Sequence, residues 1–289
     1  TPLQRDVIEV LLRCLEHPSP QVIQSTGGFW RLFLKTTPPI PDECWRTIQS
    51  RVVGALCPRM DSQSALSKAG EPFLRAEFDD EDEVRGAHAW INGFALDIIK
   101  TVAQTNPLLV LKAAVSFVIH VRDTTAKISY GAPEDKVDGI ARCCSQLETA
   151  RVVLCMALDH LSPSTYAKSS KGPVVPVQTT EEDAAELRRL AHNVIQHLHD
   201  VLASPIRCYA LRATLINTLR GCRGVYASSP NYVKWFILPL LEAAAPNNNP
   251  GTRSPISEGE LEMRRNASVV FLSMAVHAPA AYVDDVGEL

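Results

Sequence analysis

The sequence predicts an all-α fold, an α-solenoid in which antiparallel helix pairs stack along the chain. Three observations lead to this prediction. Apolar residues recur three or four positions apart over long stretches, which is the spacing of one helical face. A polar residue followed by proline closes many of these stretches, and another apolar stretch begins directly afterwards. At 289 residues the chain is long for one compact core, whereas a stack of helix pairs has no such limit.

The clearest unit of this pattern runs from Arg75 to Leu111. Its apolar positions share one helical face and are Val84, Ala87, Ile91, Phe94, Ile98 and Val102. Its first turn is acidic and contains Asp79, Asp80, Glu81, Asp82 and Glu83. Carboxylates there can accept hydrogen bonds from free backbone N–H groups and suit the positive end of the helix dipole. The helix breaks at Asn106-Pro107, and another apolar helix follows.

Three helices precede this unit, at residues 3–16, 20–35 and 42–60. Ser19 can cap the second of them, and Pro20 suits its first position. Gly27 and Gly28 lie in the middle of that helix, where each costs about 1 kcal/mol relative to alanine. We therefore expect a neighbouring helix to approach closely at these glycines.

Further helices follow the unit. They are expected from Pro107 to about 122 and at 137–161, 179–203, 204–227, 229–245 and 257–277, with another beginning at 278. Mobile loops are expected at about 61–78, 123–136, 162–178 and 246–256. Thr179 with Glu182, and Ser257 with Glu260, have the spacing of capping boxes. About eleven helices in pairs of roughly 40 to 50 residues match the period of HEAT-like repeats, so we expect one array over residues 1–289.

Composition excludes several classes of protein. Eight cysteines without a C-x-x-C pair indicate neither a zinc site nor a disulfide framework, and a reducing compartment fits best. No apolar run approaches the roughly 20 residues that span a bilayer, so membrane insertion is not expected. No glycine-rich phosphate loop or G-x-S-x-G turn supports an enzyme. Because the chain begins at Thr1 without methionine, we interpret it as an internal fragment.

Three histidines on one predicted helix raise the question of a metal site. His192 and His199 are seven residues apart on one face, and His197 lies between them. The usual helical arrangement has ligands at i and i+4 with a third group nearby, and it is not met here. Structural or surface histidines are therefore expected. Cys208 and Cys222 fall on an apolar face, where cysteine acts as a small hydrophobe.

The acidic run that ends at Glu83 has two interpretations. It can be a solvated loop and helix cap. It can also make an electrostatic contact with a basic partner, or an intramolecular contact that controls access to a concave surface.

Arginines are the candidates for a nucleic-acid contact. The net charge of −3 supplies no general attraction, so such a contact needs a local basic surface. Arg212, Arg220 and Arg223 project within about 80° of one another on an ideal helix and could meet phosphates. Lys136, Arg142 and Arg151 on the earlier helix do not line up, and Arg264 and Arg265 are adjacent. Ordinary surface arginines remain the alternative.

Three segments carry a resemblance to a known family. They are LLRCLEHPSPQVIQSTGGFWRLFL at 11–34, FDDEDE at 78–83 entering a long helix, and RRNASVVFLSMAVHAPAAYV at 264–283. In these segments and in the order of its helices and loops, the chain resembles nuclear export receptors of the importin-beta superfamily. It is most similar to the exportin-five family, the HASTY type in plants.

This resemblance implies a superhelical receptor that shuttles between nucleus and cytoplasm, contacts nucleoporins and carries cargo with the GTP form of the Ran GTPase. The implied cargo is small structured RNA, such as hairpin microRNA precursors, and the only nucleotide involved is the GTP bound to Ran. In such arrays the second helix of each pair, here beginning near 20, 80, 137, 205 and 257, usually lines the inner face. Candidate cargo contacts are then Arg212, Arg220, Arg223, Arg264 and Arg265. The alternatives are a carrier of protein cargo and a cytoplasmic HEAT scaffold.

Overall fold

The computed structural model describes residues 2–36, 42–61, 65–128, 133–158, 181–204, 208–229, 231–244 and 256–277. Within these ranges the regular structure is helical throughout and contains no strand, which confirms the predicted all-α, solenoid-like fold. The contacts form two compact units, Thr1–Ala113 and Ala114–Leu289, where the sequence predicted one segment. In a helical array each helix contacts only its near neighbours, so contact density can differ along the chain.

The first unit is built from five helices and the start of a sixth. These are α1 (Pro2–Glu16), α2 (Pro20–Phe33), α3 (Asp42–Met60), α4 (Ala65–Glu77), α5 (Glu81–Thr105) and α6 (Pro107–Ile128). The predicted loop at 61–78 is wrong, because α4 occupies most of it. Tertiary contacts hold this segment despite its proline and polar content: Leu74 is buried, and the Phe73 ring meets the His17 ring edge-on at 5.6 Å.

Alternate helices of the first unit run in the same direction. Arg51 of α3 binds the carboxylates of Glu9 and Glu16 on α1, and Arg59, two turns later, donates to the Glu16 carbonyl at 3.1 Å. In the same way, Gly27 of α2 contacts Trp90 of α5. Arg31, one turn later on α2, pairs with Asp97, which is further along α5. This is the packing expected when consecutive helices are antiparallel and alternate helices stack in layers.

The second unit contains the end of α6 and six further α-helices. These are α7 (Pro133–Leu158), α8 (Glu181–Leu202), α9 (Tyr209–Leu219), α10 (Arg223–Ser228), α11 (Asn231–Ala244) and α12 (Glu258–His277). A 3-10 turn, Arg220–Cys222, separates α9 from α10, so the single helix predicted at 204–227 is interrupted. The predicted loop at 123–136 is also too long, because α6 continues to Ile128 and α7 begins at Pro133.

Two layers are defined by contacts between alternate helices of the second unit. In one layer, α9 lies between α7 and α12. Thr218 donates to the Leu147 carbonyl at 3.2 Å, and Asn266 donates to the Ala213 carbonyl at 3.2 Å. In the other layer α8 packs on α11, where His192 Nδ1 lies 2.7 Å from the Tyr232 hydroxyl. The sequence assigned α2, α5, α7, α9 and α12 as the second members of their pairs. In the first unit α2 packs on α5, and in the second unit α9 packs on both α7 and α12.

Several sequence predictions fall on residues outside the described ranges. They are the loop at 162–178, the loop at 246–256 except for Ile256, the capping residue Thr179 and the helix expected from 278. The capping box at Ser257 is partly confirmed, since Ser257 Oγ accepts from the Glu260 backbone N–H at 3.2 Å. In the described part of the chain, no helix combines the length and apolarity that crossing a bilayer requires.

Candidate nucleic-acid interface

Arg212 lies in the first half of α9. On an ideal helix Arg212 lies roughly 60° around the axis from Tyr209 and roughly 160° from Ala210, and both of these residues are exposed. The side chain of Arg212 is half-buried, and its Nε atom is buried without a hydrogen-bond partner. Arg212 is thus less exposed than Arg220, and its place in the predicted stripe stays a prediction.

The 3-10 turn at Arg220–Cys222 lies where α7 passes very close to Gly221. A Cβ atom added at Gly221 would lie 2.7 Å from the Arg151 carbonyl oxygen and 3.1 Å from Leu154 Cβ. Only glycine allows this approach, and the helix tightens locally where it occurs. Arg220 begins this turn and Arg223 follows it. The angle of 300° that an ideal α-helix gives between these two side chains therefore does not apply.

Arg220 and Arg223 differ in exposure. Arg220 is exposed, and its Nη1 donates to Asn217 Oδ1 at 3.3 Å. Arg223 is the first residue of α10 and is half-buried. Of the predicted stripe, Arg220 is thus the member that is openly available to a ligand.

Arg151 of α7 joins this region, although the sequence placed it out of line. Its carbonyl contacts Gly221, so Arg151 lies level with the turn that carries Arg220. The side chain of Arg151 is half-buried, and its Nε atom is buried without a partner. Nothing in the sequence indicated this position, because the register between α7 and α9 depends on contacts about 70 residues apart, such as Thr218 with Leu147.

The two arginines of α12 face different surroundings. Arg264 pairs with Glu260 at 2.5 Å, and the two side chains are only 17% and 13% exposed. This pairing uses the charge of Arg264 within its own helix. Arg265 is exposed and lies on the same face as the exposed side chains of Leu261 and Leu272. Asn266 of α12 donates to the Ala213 carbonyl, so Arg264 and Arg265 lie level with a part of α9 about two turns before Arg220.

Acidic residues also lie along the contact between α7 and α9. We call this contact the α7–α9 seam. It is defined by Cys144, Leu147 and Arg151 of α7 and, opposite them, Thr214, Thr218 and Gly221. Burial raises the pKa of the Cys144 thiol, a hydrogen bond from Thr214 lowers it, and Glu148 and Glu262 raise it further. Cys144 is seven residues before Arg151, or about 10 Å along the helix. Glu148 lies between the two, one turn before Arg151, so the seam has a carboxylate close to Arg151.

The acidic run at the start of α5 forms the predicted helix cap. Asp80 Oδ1 accepts hydrogen bonds from the backbone N–H groups of Asp82 and Glu83, at 2.9 and 2.8 Å. The Glu83 carboxylate in turn accepts from the Asp79 N–H at 3.0 Å. Arg85 neutralises Asp82 through an ion pair. These contacts give the acidic run a structural role as a helix cap. The contact of the run with a basic partner, in which Glu81 would also take part, stays a prediction.

The histidines of α8 make contacts of the structural kind that the sequence favoured. The His192 and His199 rings each meet the Trp235 ring of α11 at 5.9 Å. His197 Nδ1 accepts a hydrogen bond from Arg122 of α6 at 3.0 Å. No group of three or more potential metal ligands occurs among the residues that the structure describes.

Comparison with known proteins gives no relative. No protein-family model, curated protein or solved structure matches the chain. The likeness to the exportin-five family therefore stays a prediction from the sequence.

Proposed function

We propose that the chain is a non-catalytic segment of a nuclear export receptor that binds structured RNA cooperatively with the GTP form of the Ran GTPase. In this proposal the receptor shuttles between nucleus and cytoplasm, passes nucleoporins on the way and needs no cofactor of its own. The cargo is a short hairpin of the microRNA-precursor type. Cargo release follows GTP hydrolysis by Ran, so the chain itself carries out no chemical step.

The observation that carries the proposal is the layer formed by α7, α9 and α12. Three parallel helices packed side by side present an extended surface, because neighbouring helix axes lie about 8–10 Å apart. Such a surface suits a long ligand better than a small molecule. A-form RNA is recognised mostly through its phosphates, its 2′-hydroxyls and its shape, since its deep major groove hides the base edges from side chains.

Local charge at Arg220 suits a ligand that carries phosphates. The chain has a net charge of −3, so phosphate binding requires arginines that are not neutralised within the protein. In the described part of the chain, Arg220 makes no ion pair and is exposed. Arg151 of α7 lies level with the turn that carries Arg220, since the Arg151 carbonyl contacts Gly221.

A binding titration tests this function. A fluorescently labelled hairpin RNA with a short 3′ overhang is titrated with the full receptor at several salt concentrations, with and without Ran in its GTP form. We expect Ran-GTP to strengthen binding, and the affinity to fall linearly with salt on logarithmic axes. A single-stranded RNA of the same composition is the control for shape. Absence of hairpin binding in the presence of Ran-GTP would refute the RNA assignment.

A second function, the carriage of a protein cargo, is favoured by one observation on α12. Leu261, Leu272 and Val276 share one face of this helix and are 61%, 65% and 67% exposed. An exposed row of apolar side chains can pack against a protein partner, whereas it offers no hydrogen-bond donor to a phosphate. If protein is the cargo, Leu272→Asp abolishes its binding, and the same receptor shows no Ran-dependent affinity for hairpin RNA. A cytoplasmic scaffold would bind its partners independently of Ran-GTP.

A further inference from the structure

We propose that the outer face of α12 is the docking site for the residues directly after it, 278–289, which fold back along the helix. We call this surface the α12 face and define it by Leu261, Arg265, Val269, Leu272 and Val276. Docking of this segment is a property of the fold and does not depend on the cargo that the protein carries.

The α12 face is largely apolar and lies opposite the buried side of the helix. On an ideal helix its five residues fall within about 80° of one another. Leu272 and Val276 are 65% and 67% exposed. The buried residues of α12 centre about 170° further round the axis and are Met263, Ala267, Val270 and Met274. Apolar side chains on two opposite sides are typical of a helix that is covered on both sides.

The described neighbours of α12 leave this face open. α9 lies on the side of Asn266, which donates to the Ala213 carbonyl at 3.2 Å. Arg264 pairs with Glu260 beside the face. Arg265, in the middle of the face, is exposed and makes no ion pair within the described ranges. A partner for the α12 face therefore needs apolar side chains together with a carboxylate.

The sequence that follows α12 supplies both. Tyr282, Val286 and Leu289 have the i, i+4, i+7 spacing of one helical side. The charged residues of the segment are all acidic and are Asp284, Asp285 and Glu288. They complement the positive charge of Arg265. A helix this short, with Gly287 near its end, is marginal in water, so its formation depends on packing against such a face.

The length of the segment also matches the α12 face. As a helix, residues 280–289 span about 15 Å, and the face extends about 16 Å from Val276 back to Arg265. The residues between have only to reverse the chain, as the short loops of antiparallel helix hairpins do. Because the segment is attached to α12, its docking is intramolecular and needs no second molecule.

A second copy of the chain fits the α12 face less well. From Leu261 to Val276 the face is about 22 Å long, and a helix is about 10 Å wide. This gives an area of about 220 Å², whereas a stable dimer buries about 800 Å² on each partner. An attached segment needs less area, because it does not lose the translational freedom of a separate molecule.

Hydrogen exchange of the full chain, followed by mass spectrometry, tests the docking. We expect the backbone N–H groups of residues 281–289 to exchange at least about tenfold more slowly than in a free peptide of this sequence. Leu272→Asp and Val286→Asp each place a carboxylate in the apolar contact and should remove this protection. Exchange in α9 should stay at the wild-type rate, which separates loss of docking from unfolding.

Leu32→Asp is the matched control. Leu32 of α2 is 68% exposed, close to the 65% of Leu272. The same substitution there should leave the exchange of residues 281–289 unchanged. Leu272→Asp combined with Val286→Asp should lose no more protection than either variant alone, because each removes the same contact.

Three results would overturn the docking. The first is a wild-type segment that exchanges as fast as the free peptide, which leaves the α12 face open to a protein cargo. The second is protection that Leu272→Asp does not change, which places the segment elsewhere. The third is protection that appears only at concentrations where sedimentation shows a dimer, which makes a second copy the occupant. Hairpin RNA binding enters none of these results, so failure of the docking and failure of the proposed function are distinguishable.

Discussion

The Glu77 carboxylate at the end of α4 accepts a hydrogen bond from the Ser19 hydroxyl at the start of α2. The same hydroxyl oxygen accepts from the Val22 backbone N–H at 3.3 Å, which caps α2. Glu77 also accepts from the Gln21 N–H at 3.3 Å. One buried serine therefore begins a helix and also ties it to a segment almost 60 residues further along the chain.

Replacing Ser19 should destabilise the first unit. Ser19→Ala removes the cap, which alone costs about 1 kcal/mol, and leaves Glu77 without one of its donors. We expect the free energy of unfolding in urea to fall by about 1–3 kcal/mol. Ser25→Ala on the exposed side of α2 is the control and should change it by less than about 0.5 kcal/mol. Equal stabilities of the two variants would show that the contact with Glu77 and the cap contribute nothing.

The two neighbouring glycines of α2 should respond to alanine with opposite signs. A Cβ atom at Gly27 would lie 2.9 Å from the Trp90 ring, which is stacked on Phe94 and covered by Arg31. Trp90 cannot easily move, so Gly27→Ala should cost about 1–3 kcal/mol. A Cβ at Gly28 meets no atom within 4 Å, and Gly28→Ala should stabilise by up to about 1 kcal/mol.

Urea unfolding followed by tryptophan fluorescence measures both changes. A shift of the native emission maximum is expected for Gly27→Ala because the environment of Trp90 changes, and none for Gly28→Ala. Stabilisation by both substitutions would mean that α2 and α5 are further apart than the structure places them.

Gly221→Ala should disrupt the packing of α7 against α9. The new Cβ would meet the Arg151 carbonyl at 2.7 Å, and a backbone atom cannot give way as a side-chain end can. We expect a loss of about 2–3 kcal/mol in unfolding free energy. Gly259→Ala is the control in the same unit, since its nearest contact, Tyr209 Cβ, lies at an ordinary 3.4 Å. Thermal unfolding measures both, and similar melting temperatures would contradict the close approach at Gly221.

The hydrogen bond from Arg122 to His197 should make the stability of the second unit depend on pH. Burial lowers the pKa of His197 from its ordinary value of 6.5, Arg122 lowers it further, and Asp200 and Asp123 oppose the change. The unfolded chain therefore binds a proton more readily than the folded one. Stability is fully present above about pH 6.5 and falls as the pH drops below that value, because a protonated ring can no longer accept from Arg122.

Urea unfolding at pH 5.0, 6.0 and 7.5 measures this effect. His197→Gln should flatten the dependence over this range, because glutamine does not titrate. His88→Gln on the exposed side of α5 removes one histidine without touching this contact and should leave the pH dependence as in the wild type. An unchanged profile in His197→Gln would assign the dependence to other groups.

Much of the fold could be predicted from the residues alone. The predicted start of α2 at Pro20 and the bounds of α3 at Asp42 and Met60 agree with the structure, because caps, proline positions and apolar spacing act within one or two turns. The close approach expected at Gly27 and Gly28 is confirmed at Gly27 by Trp90 and is wrong at Gly28, where an added Cβ atom would meet nothing within 4 Å. The loop predicted at 61–78 was wrong because the proline and polar residues there oppose a helix locally, while Ser19 and His17 stabilise it through tertiary contacts.

The candidate site was less predictable than the fold. Angles around an ideal helix grouped Arg212, Arg220 and Arg223, and the structure leaves Arg220 exposed but Arg212 and Arg223 half-buried. No local pattern could place Arg151, because its position opposite Gly221 depends on how two distant segments pack.

The sequence by itself determined that this protein consists of helices, where most of them begin and which side of each is apolar, since these properties depend on residues one to four positions apart. Only the tertiary structure decided which helices are neighbours and at what register they meet. Those choices depend on shape, such as the space that Gly221 leaves for the Arg151 carbonyl.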